Sequence, residues 1–74
     1  METINGVLRK THPILVYSEN GNSRYAVLPK GTKVVIYPRL ATLWKAEICG
    51  GFYKGWCFYV TIKEMARLVA EDLS

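Results

Sequence analysis

Short apolar segments alternate with clusters of turn-forming residues along most of this 74-residue chain. Residues 33–37 show the pattern well, because Val34 and Ile36 fall on one side of an extended segment while Lys33, Val35 and Tyr37 fall on the other. Asn-Gly and Pro-Lys-Gly sequences supply the turn chemistry between segments. The pattern predicts about five short strands, typical of a small barrel or sandwich, over residues 14–17, 25–28, 32–37, 44–48 and 56–60.

The period of the pattern becomes helical after residue 60. Thr61 and Glu64 have the spacing of a capping box, in which the two side chains bond to backbone N–H groups at the start of a helix. We expect a helix from about residue 62 to residue 73, with one apolar stripe packed on the barrel. The alternative is a homodimer contact through the helix, and Leu68, which lies off the stripe, would make it. The stripe contains Ile62, Met65, Ala66, Val69 and Leu73.

Length and composition favour a single folded domain. A chain of 74 residues that is 50% hydrophobic and 12% aromatic has ample material for a core. We expect a mainly β domain with a turn and short strand in residues 1–13, a barrel in residues 14–60 and the capped helix in residues 61–74. A barrel of this size cannot bury every aromatic residue, and exposed aromatic clusters usually mark contact with a partner.

The net charge of +4 is spread along the chain. A distributed positive charge serves solubility, and it also permits binding to nucleic acid or to an acidic protein. The first residues lack the basic and then apolar pattern of a signal peptide, and no segment has the roughly 20 apolar residues of a membrane span. We therefore expect a cytoplasmic protein with reduced thiols and no membrane partner.

Four segments occur in a familiar order along the middle of the chain. They are Leu-Val-Tyr-Ser at 15–18, the Leu-Pro-Lys-Gly run that leads into the valine strand at 28–36, Trp44, and the Gly-Trp-Cys strand that closes the pattern at 55–60. Over about residues 14–60 this ordered set resembles a bacterial SH3 (SH3b) domain. The resemblance implies a small five-stranded SH3-like β-barrel and a binding function, often directed at cell-wall peptidoglycan.

Two features depart from that family. Its first long loop often opens with an Arg-Ser-Gly-Pro-like sequence, whereas this chain has Tyr-Ser-Glu-Asn at residues 17–20. The C-terminal helix is not part of the usual module. The resemblance therefore supports the fold more strongly than the cell-wall target.

No arrangement of residues predicts catalysis, a metal site or a cofactor. His12, the only histidine, has no motif that supplies a nucleophile and an orienting acid, and it is expected to be a surface residue. Cys49 and Cys57 lack the two further ligands of a zinc site. These cysteines flank a predicted hairpin turn and are expected to be buried thiols, with a disulfide as the alternative in an oxidising compartment. We expect no enzymatic activity.

Aromatic residues close to basic residues are the remaining functional signal. In SH3-like barrels two loops flank a groove that is lined with aromatic side chains, and the hairpin tip at residues 52–54 offers a second contact. Such residues form hot spots in protein interfaces and can also stack on nucleic-acid bases. The structural alternative places both tryptophans in the core. The candidate partner-binding residues are Tyr17, Tyr37, Arg39, Trp44, Phe52, Tyr53, Lys54 and Trp56.

These signals predict a non-catalytic SH3-like binding module with a protein partner. We expect a small cytosolic regulator or inhibitor, of the kind that phages and mobile elements encode. One alternative is a nucleic-acid-binding protein that uses the basic and aromatic surface. The other is an SH3b module that binds peptidoglycan.

Overall fold

A computed structural model describes residues 2–39 and 42–72 of the chain. Within these residues, seven antiparallel strands curl into a half-barrel, and one short helix follows the sixth strand. The mainly β class with a C-terminal helix is confirmed. The elements are β1 (Ile4–Leu8), β2 (His12–Tyr17), β3 (Ser23–Leu28), β4 (Lys33–Tyr37), β5 (Leu43–Ile48), β6 (Cys57–Thr61), α1 (Ile62–Leu68) and β7 (Val69–Glu71).

The strands form one sheet with the order β3-β2-β6-β5-β4-β1-β7. Strands that follow each other closely in sequence pair as β2 with β3, β4 with β5, and β5 with β6. β1 pairs with β4, and β6 returns to β2 where Cys57 lies opposite Tyr17. This order makes β3 and β7 the two edges of the described sheet.

A tight turn at residues 29–32 leads from β3 into β4. The Thr32 N–H donates to the Pro29 carbonyl at 3.2 Å, and the Gly31 N–H donates to the Leu8 carbonyl at 3.0 Å. Gly31 has a φ of 88°, which the third position of a type II turn requires and which glycine adopts without steric cost. The turn is therefore closed on itself and also tied to β1.

The inner face of the sheet supplies the core. Val16, Ala46 and Phe58 have no exposed surface, and the residues before and after each of them are more exposed, as the alternation of a half-buried strand requires. Val34 and Ile36 share this buried face, as the sequence pattern predicted. The buried residues are Leu8, Val16, Ala26, Leu28, Val34, Ile36, Ala46, Ile48, Phe58, Met65, Leu68 and Val69.

The helix is shorter than the sequence pattern predicted. α1 ends at Leu68, and Val69 has extended backbone with a φ of −123° and a ψ of 131°. Residues 69–71 pair with β1 as the added strand β7, and the Arg9 N–H donates to the Leu68 carbonyl at 2.8 Å. β-Branched Val69 suits this extended conformation better than a helix. Leu73, the last residue of the predicted stripe, lies outside the described residues.

The buried side of α1 also differs from the predicted stripe. Met65 is buried as expected, but Ala66 and Ile62 are exposed. Leu68 is only 5% exposed and belongs to the core. Leu68 therefore packs inside the half-barrel and not on the exposed helix surface, and the homodimer contact through it stays a prediction.

The start of the helix confirms Thr61 as the N-cap. Its hydroxyl accepts a hydrogen bond from the Glu64 N–H at 3.2 Å. The Glu64 carboxylate pairs with the Arg67 guanidinium at 3.2 Å, one turn further along the helix. The cap satisfies a backbone donor at the helix start, while Glu64 takes part in a pair on the helix surface.

Candidate binding site

The connection between β5 and β6 is a tightly bonded turn with an aromatic tip. The Gly55 N–H donates to the Ile48 carbonyl at 2.9 Å, and the Trp56 N–H donates to the Tyr53 carbonyl at 3.0 Å. Gly55 adopts a φ of 90°, which allows the chain to return directly into β6. Because these bonds fix the turn, Phe52 is held outward with 85% of its surface exposed.

Phe52 is the outer end of a short series of aromatic contacts. Its ring meets the Tyr53 ring edge to face, with centroids 4.9 Å apart. Tyr53 in turn meets Trp56 at 5.5 Å and 83°. Tyr53 and Trp56 both pack against the core, so they support the exposed ring from below. Phe52 therefore has a ring contact on its inner side, and most of its surface is open to a partner.

A groove of about 490 Å³ lies beside this tip. One wall is formed by residues 27–33, which are the end of β3 and the turn that follows, and the other wall is formed by residues 49–53. We call this groove, defined by those two ranges, the turn groove. The Cys49 N–H donates to the Lys33 carbonyl at 2.9 Å and joins the two walls.

The lining of the turn groove combines apolar surface with positive charge. Val27 and Phe52 are 66% and 85% exposed. Lys30 and Lys33, both exposed, supply the charges, and no acidic residue occurs in either wall range. An apolar surface bordered by lysines suits a ligand that has apolar side chains and carries negative charge.

Four tyrosines lie on the outer face of the half-barrel, opposite the core. We call Tyr17, Tyr25, Tyr37 and Tyr59 the tyrosine face. The rings of Tyr17 and Tyr59 meet edge to face at 5.8 Å and join β2 to β6. Lys45 lies opposite both Tyr59 and Tyr37 in the strand register, and its ammonium sits 5.5 Å from the centre of the Tyr37 ring. Cross-strand contacts thus join Tyr17 to Tyr59 and Lys45 to Tyr37, whereas Tyr25 on β3 is 76% exposed.

Two hydroxyls of the tyrosine face have shifted acidity. The negative charge of Glu47 raises the pKa of Tyr37, with burial and a 3.3 Å hydrogen bond from the Tyr37 hydroxyl to the Glu47 carboxylate acting in the same direction. A side-chain hydrogen bond with Cys57 raises the pKa of Tyr59, while the nearby charge of Arg39 partly opposes that shift. Both hydroxyls therefore remain neutral to higher pH than an ordinary tyrosine.

Six of the eight predicted partner-binding residues divide between two surfaces. Phe52 and Tyr53 line the turn groove, and Lys54 is exposed next to them on the tip. Tyr17 and Tyr37 lie on the tyrosine face, where Arg39 exerts its charge on Tyr59. The structure thus does not bring the eight residues together in one groove.

Both tryptophans are half-buried and pack against the core. The Trp44 indole N–H donates to the Arg39 carbonyl at 3.0 Å. This bond links Trp44 in β5 to the segment that follows β4. Trp56 supports the tip through Tyr53. Each tryptophan thus has a structural contact on the inner side of the sheet.

The two cysteines do not form the predicted pair of buried thiols. Cys49 is exposed and Cys57 is half-buried, and both are free. In the register of β5 and β6, Cys57 lies opposite Glu47, whereas Cys49 follows the end of β5 and bonds to β4. The backbone hydrogen bonds that close the β5–β6 turn join Ile48 to Gly55 and Trp56, and Cys49 lies inside the turn, one residue after Ile48. The two thiols therefore do not face each other across the hairpin.

A second cleft, of about 430 Å³, lies between the β1–β2 connection and α1. Three basic side chains and one histidine line it together with one acid, Glu64, which is paired with Arg67 at 3.2 Å. We call it the basic cleft, and it is lined by Arg9, Lys10, His12, Glu64, Ala66, Arg67 and Leu68. His12 is half-buried there at the start of β2.

Val27, Lys30, Lys33 and Cys49 are groove residues that the sequence alone did not indicate. Residues 25–28 were predicted as one strand, and their alternation with buried Ala26 and Leu28 hints that Val27 faces outward. The spatial meeting of the 27–33 and 49–53 ranges depends on strand order, however, and no local pattern carries that information.

Comparison with protein-family models, with curated proteins and with solved structures gave no significant match. Residues 2–39 and 42–72 contain no helix that is long and apolar enough to cross a membrane. Over the same residues, no three His, Cys, Asp or Glu side chains are grouped so that they could hold a metal ion.

Proposed function

We propose that this chain is a non-catalytic binding module that recognises a protein partner through the turn groove. The exposed ring of Phe52 is the observation that carries the proposal. A large apolar side chain on a fixed turn, beside a partly apolar groove, gains most of its burial only when a partner covers it. The role we assign is that of a small cytosolic regulator or inhibitor.

The finer fold assignment is part of the same proposal. The half-barrel is compatible with an SH3-like barrel, and the segment that resembles SH3b domains, residues 14–60, runs from β2 to the end region of β6. In this assignment the turn groove lies at one end of the half-barrel, between the β3–β4 turn and the β5–β6 turn. The peptidoglycan target rests on the resemblance alone.

The test is a pull-down from the native host with wild-type chain, Phe52→Ser and Ile62→Ser. Ile62 is a matched control because it is an exposed apolar residue, 49% accessible, on α1 away from the groove. We expect a protein that wild type and Ile62→Ser retain, that Phe52→Ser loses, and that survives nuclease treatment. Equal retention by Phe52→Ser would contradict the proposal.

The basic cleft favours a second candidate function, binding to nucleic acid. Arg9, Lys10 and Arg67 converge on one concave surface with His12, and such clusters neutralise phosphates. The second function requires binding of a mixed-sequence DNA or RNA strand that weakens steeply as salt rises. It also requires that Arg9→Glu with Lys10→Glu weakens binding far more than the charge-matched control Lys54→Glu with Lys63→Glu.

A further inference from the structure

β3 is a long, accessible edge of the described sheet. All six of its residues pair with β2, from Ser23 opposite Tyr17 to Leu28 opposite His12, and the strand order places no described strand on its other side. An edge strand presents N–H and C=O groups that can pair with another extended chain. The opposite edge, β7, has only three residues and offers a shorter template.

The usual devices that protect an edge strand are sparse in β3. Its sequence, Ser-Arg-Tyr-Ala-Val-Leu, contains no proline and a single charge, Arg24, and its register with β2 is continuous without a bulge. Tyr25 and Val27, which alternate with buried Ala26 and Leu28, are 76% and 66% exposed. The edge thus presents apolar side chains beside its backbone groups.

The free edge runs directly into the turn groove. Val27 and Leu28 are the last residues of β3 and also form part of the groove wall. An extended chain that pairs with β3 would therefore enter the groove at one end and come close to Phe52. One bound segment can use the edge and the groove together.

The charges along this path are all positive. The charged residues of these segments are Arg24 in β3 and the two groove lysines, Lys30 and Lys33. A second copy of the chain would bring the same positive charges to the interface, and the net charge of +4 opposes that approach. An acidic segment is complementary.

We infer that the partner contributes an extended segment that alternates acidic and apolar residues and adds to β3 as a further strand, with one end in the turn groove. This inference rests on the proposed function and names the chemistry of its partner. Backbone pairing with β3 supplies the orientation, Val27 and Phe52 contact apolar side chains, and Arg24, Lys30 and Lys33 attract the acids. The geometry calls for about six residues, the length of β3.

The probe is a synthetic six-residue peptide that alternates valine with glutamate, matched to the length of β3, with a valine–lysine peptide as its control. Titration is followed by NMR, and amide hydrogen exchange is measured with and without peptide. We expect the acidic peptide to bind about tenfold or more tightly than the basic one, to weaken with salt, and to slow exchange of β3 amides.

Backbone-modified peptides and one protein variant make the test specific to strand addition. Alternate amides of a paired strand point to opposite sides, so N-methylation of one alternate set must abolish binding while methylation of the other set is tolerated. Val27→Glu must weaken binding about tenfold or more, whereas Ile62→Glu, a change at an exposed residue on α1, must not. Circular dichroism of both variants checks that they fold.

Several outcomes overturn the inference. They are equal binding of both methylated peptides, unchanged exchange in β3, no binding of the acidic peptide at millimolar concentration, and a dimer of the chain in which β3 is already protected. None of these outcomes bears on whether the native partner needs Phe52 for binding, and that requirement tests the proposed function separately. Conversely, a native partner that ignores Phe52→Ser rejects the proposed function even if the peptide adds to β3.

Discussion

The Val69 side chain occupies the space that a Cβ atom on Gly6 would need. Gly6 lies in β1, and the chain that leaves α1 runs antiparallel beside β1 as β7. Gly6 lies opposite Glu71, and Leu8 lies opposite Val69. The absence of a side chain at residue 6 therefore allows β7 to lie close to β1. The helix ends at Leu68, and the next three residues are extended and paired with β1 in this close arrangement.

Replacement of Gly6 by alanine is expected to destabilise the protein by about 1–3 kcal/mol, because the added methyl overpacks the contact with Val69. Gly50→Ala is the control, since a Cβ there meets nothing within 4 Å. Urea denaturation of both variants measures the difference. Equal stability of Gly6→Ala and Gly50→Ala would contradict the close contact of β7 with β1 at Gly6.

Leu68 is expected to behave as a core residue. Leu68→Ala should lower the free energy of unfolding by about 2–5 kcal/mol, as for other buried leucines. Leu43→Ala, at a leucine that is 47% exposed, should cost much less. Analytical ultracentrifugation of the wild type and both variants would show whether Leu68 instead governs self-association. A change of oligomeric state at unchanged stability would contradict the buried position.

The raised pKa values of Tyr37 and Tyr59 predict a loss of stability at alkaline pH. The folded protein holds these hydroxyl protons more tightly than the unfolded chain, so the contribution is complete below the ordinary tyrosine pKa of about 10 and disappears as pH rises through the raised values. Glu47→Gln removes the main cause at Tyr37 and should reduce the alkaline loss.

The matched test combines Glu47→Gln with Tyr37→Phe, and the free energy of unfolding is measured in urea from neutral to alkaline pH. In the Tyr37→Phe background, Glu47→Gln should leave the alkaline slope unchanged, since no Tyr37 hydroxyl remains to respond. An equal effect of Glu47→Gln in both backgrounds would show that Glu47 acts on another group.

Local sequence patterns predicted the parts of the fold that depend on nearby residues. The alternation of Val34 and Ile36 marked the buried face of β4, and Thr61 marked the start of α1. Val69 was assigned to the helix because its spacing from Met65 fits a helical stripe as well as its side chain fits a strand. The neighbouring edge of β1 decides between these two conformations, and that edge is not visible in residues 61–74.

The candidate site was predictable only in part for the same reason. Phe52 and Tyr53 could be placed on a turn tip from the flanking glycines. Their opposite wall comes from residues 27–33, which are distant in sequence and reach the tip only through the strand order. The exposure of Tyr25 likewise follows from the position of β3 at an edge, whereas the sequence suggested only a strand.

The footprint of the partner on the chain tests the central claim most directly. The protein recovered by the wild-type chain is added to isotope-labelled chain, and changes in the backbone amide NMR signals are mapped residue by residue. The account predicts that the largest changes fall in residues 27–33 and 49–53, with Phe52 among them. Changes concentrated at Arg9, Lys10 and Arg67, or on Tyr17 and Tyr59, with the turn groove unaffected, would contradict it.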